Sequence, residues 1–493
     1  MGTQPGFHSL HEETAQTLTV EGSLPDWLTG SLLRNGPGAF SVPGGSSVDH
    51  WFDGLAMVYR FTFDPGNRAR GGDGDALHYR NRFLRTEAYE AARDGEFEGG
   101  FATGETTLRS RLAGFLTAPY DNANIVVERV GDAYLALTES PRRVELDPNT
   151  LATLGHDQYD GSAPSGQLAC AHLKRDPTTG VLVNVATAFG RTSQYHVHAL
   201  GADGERHHIG SVPTEKPAYM HSFALTPHYV VLTEFPLRLD PLRFLRPGRQ
   251  APFIEQFEWE PDRGTRVVVL NRTTGEVLAE PVTDVVFGFH HVNAFERAGG
   301  SEVVFDLETV PDTTSIDSLY LDTVRGGDLD TLAGRLERFT VDLGGRRGTG
   351  RYRTGEATVE RERQYDDGTA LPTVSPTRWC REHRYAYAMS MDQPVRGWAR
   401  AVMKYDVETG TVTEADPGGD YFGEPLFVPA PDGDSEDAGV VLTVALDAGA
   451  DRSRLVVLDG ETFAERARAT LPHAVPFDFH GRYFPELRAK PTD

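Results

Sequence analysis

Lysine is scarce in this chain. Of its 48 basic residues only four are lysine (Lys174, Lys216, Lys404 and Lys490); 72 residues are acidic and the net charge is −24. A field of that sign repels phosphate backbones and argues against a nucleic-acid-binding role. Abundant carboxylates with so little lysine suit a protein that stays dissolved in concentrated salt, where screening removes self-repulsion. A salt-loving source is therefore expected. Cysteine is scarcer still: Cys170 and Cys380 are the only two. A disulfide framework is not expected, and a reducing cytoplasm is the default compartment. No HExxH, CxxC or Cys/His zinc spacing occurs, which argues against a standard zinc site. No stretch reaches the ~18 consecutive apolar residues of a membrane-spanning helix. Met1–Thr19 lacks the basic-then-apolar order of a signal peptide.

What is present is β-rich. The 493 residues are 39% hydrophobic and 10% aromatic, enough for a sizeable core. Short apolar runs are bounded by Gly, Pro, Asp or Asn, as strands are. Examples are Gly131–Leu137, Val181–Phe189, Tyr229–Phe235, Arg266–Leu270, Glu302–Leu307, Tyr385–Met391 and Gly439–Leu446. Helical periodicity is weak, with candidates near Leu108–Leu116 and Pro241–Leu245. A hairpin signature recurs at Leu146–Leu154, Arg175–Val183, Leu270–Leu278, Tyr405–Thr413 and Leu458–Arg466. In each, Asp or Asn opens a turn and the chain reverses into another strand. Recurrent hairpins at irregular spacing suggest antiparallel blades, hence a β-propeller; a large β-sandwich or two β domains are the alternatives. No linker divides the chain, so residues 1–493 read as one domain. The acidic stretch Asp432–Ala438 reads as an exposed loop between blades.

Four of the 17 histidines lie in apolar or aromatic company: His172, His221, His290 and His480. His291 could equally be the relevant member of its pair. Singly, each reads as a buried histidine with satisfied ring nitrogens. Together in a propeller they acquire another meaning. Inner strands converge on one axis, and one histidine from each of four blades could hold one metal there. Four imidazoles suit a borderline first-row ion such as Fe(II), with open positions for dioxygen or substrate. Carboxylates are needed behind such imidazoles to orient them. Glu139 and Glu424 sit at strand ends among apolar neighbours and are the candidates. Phe52, Phe235 and Phe289 are candidates either to line a cavity or to pack in the core.

These segments resemble the carotenoid cleavage oxygenases. Ser31–Phe40 (SLLRNGPGAF), His50–Phe61 (HWFDGLAMVYRF), Asp121–Ser140, Tyr219–Pro236, Phe289–Glu296, Gly423–Pro429 and Phe479–Glu486 are similar to that family's segments and follow in its order. The resemblance implies an all-β fold: a seven-bladed propeller with a helical or loop cap over an axial Fe(II). It implies His172, His221, His290 and His480 as iron ligands, with O2 as co-substrate and no catalytic side chain beyond the metal centre. Glu139 and Glu424 match two of the three glutamates that the family places behind its histidines. Ala370 stands where the third is expected, so either another carboxylate supports His290 or water or backbone does.

The implied activity is oxidative cleavage of a carotenoid or apocarotenoid double bond to aldehydes, with central 15,15′ cleavage to retinal as the first expectation. A retinoid isomerase, a stilbenoid-cleaving oxygenase and a carotenoid-binding propeller with weak iron binding are the alternatives. The stretch after Glu139 contains no lysine, which argues against a phenolic substrate. A bilayer-dissolved substrate implies peripheral membrane contact from the cytoplasmic side. Leu112, Phe115 and Leu116, with Leu242, Phe244 and Leu245, are apolar residues beside arginines and are expected to face lipid.

Overall fold

The computed structural model describes residues 5–42, 47–67, 74–95, 100–103, 121–157, 164–245, 251–327, 329, 331–344, 357–415 and 420–489, with the side chains of residues 5, 157, 244 and 245 left undescribed. Antiparallel sheets of four to six strands repeat around one axis as a seven-bladed propeller, with a small two-stranded ribbon (Leu237–Leu239 with Phe257–Trp259) beside them. Short inner strands such as Ala224–Leu225, His291–Arg297, Gly368–Val374, Leu426–Pro429, His480–Phe484 and Val126–Val130 pack against one another in turn.

Two pairings close the ring. His480–Phe484 joins the first blade beside Ser31–Ala39, with His480 opposite Asn35. Glu21–Gly22 joins the last blade beside Glu465–Thr470. The N-terminal segment thus completes the last blade and the C-terminal segment completes the first. Ring closure leaves few open edges.

Local chemistry builds the blades. Central strands are covered on both faces by neighbouring blades, so Leu55–Asp64 and Tyr229–Glu234 are buried throughout. Outermost strands meet water. Thr358–Arg363 (TVERER) is mostly exposed, and its alternating charges discourage pairing with another chain. All seven apolar runs form strands. So do the five hairpins, and one turn explains them. Asp147, Asp176, Asn271, Asp406 and Asp459 each accept, through Oδ1, backbone N–H groups two and three residues on. The fifth residue of each turn is left-handed: Gly180, Gly275 and Gly410, but also Leu151 (φ 58°) and Phe463 (φ 60°). Those two side chains are buried, and their burial offsets a backbone cost of about 1 kcal/mol.

Of the helical candidates, Pro241–Leu245 forms a single 3-10 turn. Leu108–Leu116, with Leu112, Phe115 and Leu116, lies outside the described residues. Among the described residues no helix is long and apolar enough to cross a membrane.

Candidate metal centre

His172, His221, His290 and His480 meet on the propeller axis, with one ring nitrogen of each lying within 4.8 Å of the others. They come from four blades. His172 sits between the short inner strands Leu168–Ala169 and Lys174–Arg175. His221 precedes Ala224–Leu225, His290 precedes His291–Arg297, and His480 opens the closing strand. The Nε2 atoms of His172 and His221 are 2.9 Å apart. Burial, then the neighbouring imidazoles, holds His172 and His290 well below the ordinary histidine range. Both are therefore neutral at neutral pH, the form a metal ligand needs.

Three carboxylates stand behind three of these rings. His221 Nδ1 lies 2.6 Å from Glu139 Oε1, His480 Nδ1 2.8 Å from Glu424 Oε1, and His290 Nδ1 3.0 Å from Glu308 Oε2. With Nδ1–H donated outward, Nε2 presents its lone pair to the axis. His172 has no such carboxylate among the described residues. Glu139 is itself held by the Tyr219 hydroxyl, which donates to both its oxygens at 2.9 and 2.8 Å. Glu424 accepts the Gly481 N–H at 2.8 Å and lies 3.4 Å from Arg34. Burial alone would raise Glu424, but His480 and Arg34 outweigh it and hold it below the ordinary carboxylate range.

Glu308 resolves the vacancy at Ala370. A different carboxylate does support His290, and it comes from the neighbouring strand Glu302–Thr309 of the same blade. Its backbone N–H donates to the His290 carbonyl at 3.0 Å, so the two residues face each other across a hairpin. Burial pushes Glu308 up to about 8, opposed by the Leu371 N–H. Room for this side chain comes from Gly334, where a Cβ would lie 2.4 Å from Glu308 Cγ. Glu308 is a strand-end glutamate among apolar neighbours, the same signal that singled out Glu139 and Glu424. Tyr219 carried no signal beyond its place before His221.

His291 is excluded from the cluster. Its Nδ1 is 2.8 Å from Ser222 Oγ and its Nε2 2.8 Å from Thr233 Oγ1, so both ring nitrogens are occupied. The two thiols also stand apart: Cys170 and Cys380 are free and buried.

The histidines lie between two cavities. A cavity of about 410 Å3 is lined by His221, His290 and His480, and its wall is mostly apolar, with Phe52, Phe101, Tyr219, Phe289, Leu371 and Trp398 among its residues. Its described lining contains no lysine. A smaller, more polar cavity of about 120 Å3 on the other side is lined by His172, His290, His480 and Lys174. Phe52 and Phe289 line the large cavity. Phe235 does not; it is fully buried and packs on Phe287 with ring centres 5.5 Å apart.

The donor set fits a resident metal ion. It is four imidazoles, three of them backed by carboxylates, with one side open to a mostly apolar, ligand-sized cavity.

Comparison with known proteins agrees with this geometry. The family profile described as retinal pigment epithelial membrane protein matches residues 7–485. The apocarotenoid-15,15′-oxygenase of Synechocystis is 32% identical over 94% of this chain and 92% of its own length. The β,β-carotene 15,15′-dioxygenase of Gallus gallus is 29% identical, covering 95% of each chain. Among solved structures, a cobalt-substituted Synechocystis apocarotenoid oxygenase superposes with a TM-score of 0.81 at 28% identity, over 97% of this chain and 98% of that one. The chain belongs to the retinal pigment epithelial membrane protein family, the carotenoid cleavage oxygenases.

Proposed function

We propose that this protein is an Fe(II)-dependent dioxygenase that cleaves one double bond of a carotenoid or apocarotenoid, with central 15,15′ cleavage to retinal as the preferred outcome. One observation carries the reading: four imidazoles converge on the axis, and three of them, His221, His290 and His480, line a mostly apolar cavity of about 410 Å3. The names of the relatives agree with it.

His172, His221, His290 and His480 would hold an iron(II) ion, and the chemistry it would supply is activation of dioxygen. The protein's own residues do the rest. Glu139, Glu308 and Glu424 hold three imidazoles in register. Phe52, Phe101, Phe289 and Trp398 offer flat apolar faces to an extended polyene and keep water away. Which double bond lies beside the metal is set by where the polyene stops in the cavity. Both atoms of O2 end in the two carbonyl products, so the overall reaction transfers no net proton and needs no side-chain base. A phenolic substrate finds no lysine in the described lining to deprotonate it. The carotenoid-binding alternative rested on the missing glutamate at position 370, and Glu308 removes that support.

Peripheral membrane contact and a cytoplasmic location belong to the same proposal. Leu242 is 61% exposed, one of few large apolar side chains so placed among the described residues. Its neighbour Arg243 donates to the Gln256 carbonyl at 3.1 Å, and Gln256 lines the large cavity. The apolar tooth therefore stands next to a cavity wall, where a lipid-dissolved substrate would enter.

The test is incubation of Fe(II)-loaded protein with detergent-solubilised β-carotene in high salt, with mass spectrometry of the products. Retinal as the sole aldehyde supports central cleavage. Unequal fragments retain the dioxygenase and move the cut. Product formed without O2 overturns the dioxygenase reading. Loss of vesicle binding in Leu242→Asp supports the membrane contact, and unchanged binding removes it.

A further inference from the structure

One buried carboxylate organises the cavity wall. Asp53 is fully buried, and its oxygens accept four consecutive backbone N–H groups. Oδ1 takes Gly100 at 2.8 Å and Phe101 at 2.6 Å; Oδ2 takes Ala102 at 2.9 Å and Thr103 at 2.8 Å. No cation pairs with it among the described residues. A buried carboxylate with no counter-ion survives only if its lone pairs are filled, and four amides fill them here.

The residues it gathers have a common destination. Gly100, Phe101 and Thr103 line the large cavity, as does Phe52, the neighbour of Asp53. The Phe101 ring lies 5.1 Å from Phe52 and 6.1 Å from Tyr219, whose hydroxyl holds Glu139. The Phe101 carbonyl accepts the Ile254 N–H at 3.0 Å, which extends the wall toward Phe253 and Gln256. The platform beneath Asp53 is also tied down. Asn124 Nδ2 donates to the Phe52 and Gly54 carbonyls at 2.9 and 3.0 Å. His50 Nε2 is 3.0 Å from the Ile316 carbonyl oxygen.

We propose that Asp53 is a positioning residue that fixes the Gly100–Thr103 wall and so sets how the polyene lies in the cavity. This rests on the reading of the cavity as a polyene site. Asp53 touches neither metal ligand nor substrate, so its loss alters substrate fit and leaves metal binding alone. Asparagine is the discriminating replacement. It keeps one acceptor oxygen and turns an NH2 group toward two of the four amides, which then lose their partner.

The experiment compares wild type, Asp53→Asn and Phe101→Leu as full-length Fe(II)-loaded chains. Iron content, KM and kcat are measured with β-carotene. Binding of all-trans-retinol is followed separately through quenching of the cavity tryptophans Trp51 and Trp398. Expected for both variants are iron content equal to wild type, kcat within about twofold, and KM and the retinol Kd raised ~10-fold. Unchanged KM and Kd in a folded Asp53→Asn overturn the proposal, as does loss of its iron. If Asp53→Asn does not fold, Phe101→Leu decides: an unchanged KM and Kd overturn it. Failure of wild type itself to bind retinol or cleave β-carotene would instead sink the polyene reading, and the proposal with it.

Discussion

Substituting Gly334 by alanine should weaken the metal site, although Gly334 touches no histidine. The backbone there is not left-handed, so alanine carries no conformational penalty. Space is the only obstacle. The added Cβ would lie 2.4 Å from Glu308 Cγ, 2.5 Å from Oε1 and 2.7 Å from Cδ, where ordinary van der Waals contact begins at 3.4 Å. The glutamate must withdraw, and a shift of about 1 Å is enough to break its 3.0 Å contact with His290. Losing such a partner costs ~10–100-fold in metal affinity, or about 1.4–2.7 kcal/mol. Glu308→Ala should cost the same without crowding. Because both variants act on one contact, their effects should not add. Anaerobic competition of Co(II) against a chelator, read through the cobalt absorption bands, measures wild type, both single variants and the double variant. Wild-type affinity in Gly334→Ala, or a double variant much weaker than Glu308→Ala alone, would refute the reasoning.

The adjacent histidines should separate cleanly: His290→Ala abolishes stoichiometric metal, whereas His291→Gln keeps it, as metal analysis after gel filtration would report. Asp306 provides the pH test. Burial opposes its ionisation, but Arg338, bonded at 2.7 and 2.8 Å, and His383 outweigh that and bring it down to about 2. A depressed carboxyl stabilises the fold above its unfolded value near 3.8 and loses that contribution as pH falls through about 2. The contribution is on the order of 2 kcal/mol. Asp306→Asn should therefore lower the Tm at pH 7 and flatten the fall in Tm between pH 4 and pH 2; parallel pH profiles would contradict this. Burial raises both thiols, Cys380 up to about 11, so neither is a reactive thiolate at neutral pH. Iodoacetamide should leave the native chain unmodified and label two residues after unfolding, as intact-mass measurement would read.

Much of this was readable along the chain because it depends on neighbours in sequence. An Asp or Asn that bonds the amides two and three residues on makes the same turn wherever it occurs, so the five hairpins are visible as text. Apolar runs of strand length become strands because both faces of a propeller blade are covered. Histidines in apolar company stand out because a buried imidazole needs a purpose. Glu139 and Glu424 were legible for the same reason.

Glu308 carried the same signal, but its pairing with His290 was hidden by geometry. Counting back from the hairpin pair Arg297–Glu302 would set residue 309 opposite His290, with residue 308 facing the other side. A bulge between His291 and Asn293 shifts the register by one and turns Glu308 onto the imidazole. Gly334 and Ala370 become meaningful only when two further strands bring them to the same place. The choice of His290 over His291 depends on hydroxyls from residues 222 and 233. Phe235 and Phe289 look alike in sequence, yet one packs in the core and the other lines the cavity. The sequence by itself determined the strands, the turns and the kinds of ligand. The tertiary structure decided which carboxylate meets which ring, because a one-residue shift in strand register reverses the direction of every side chain.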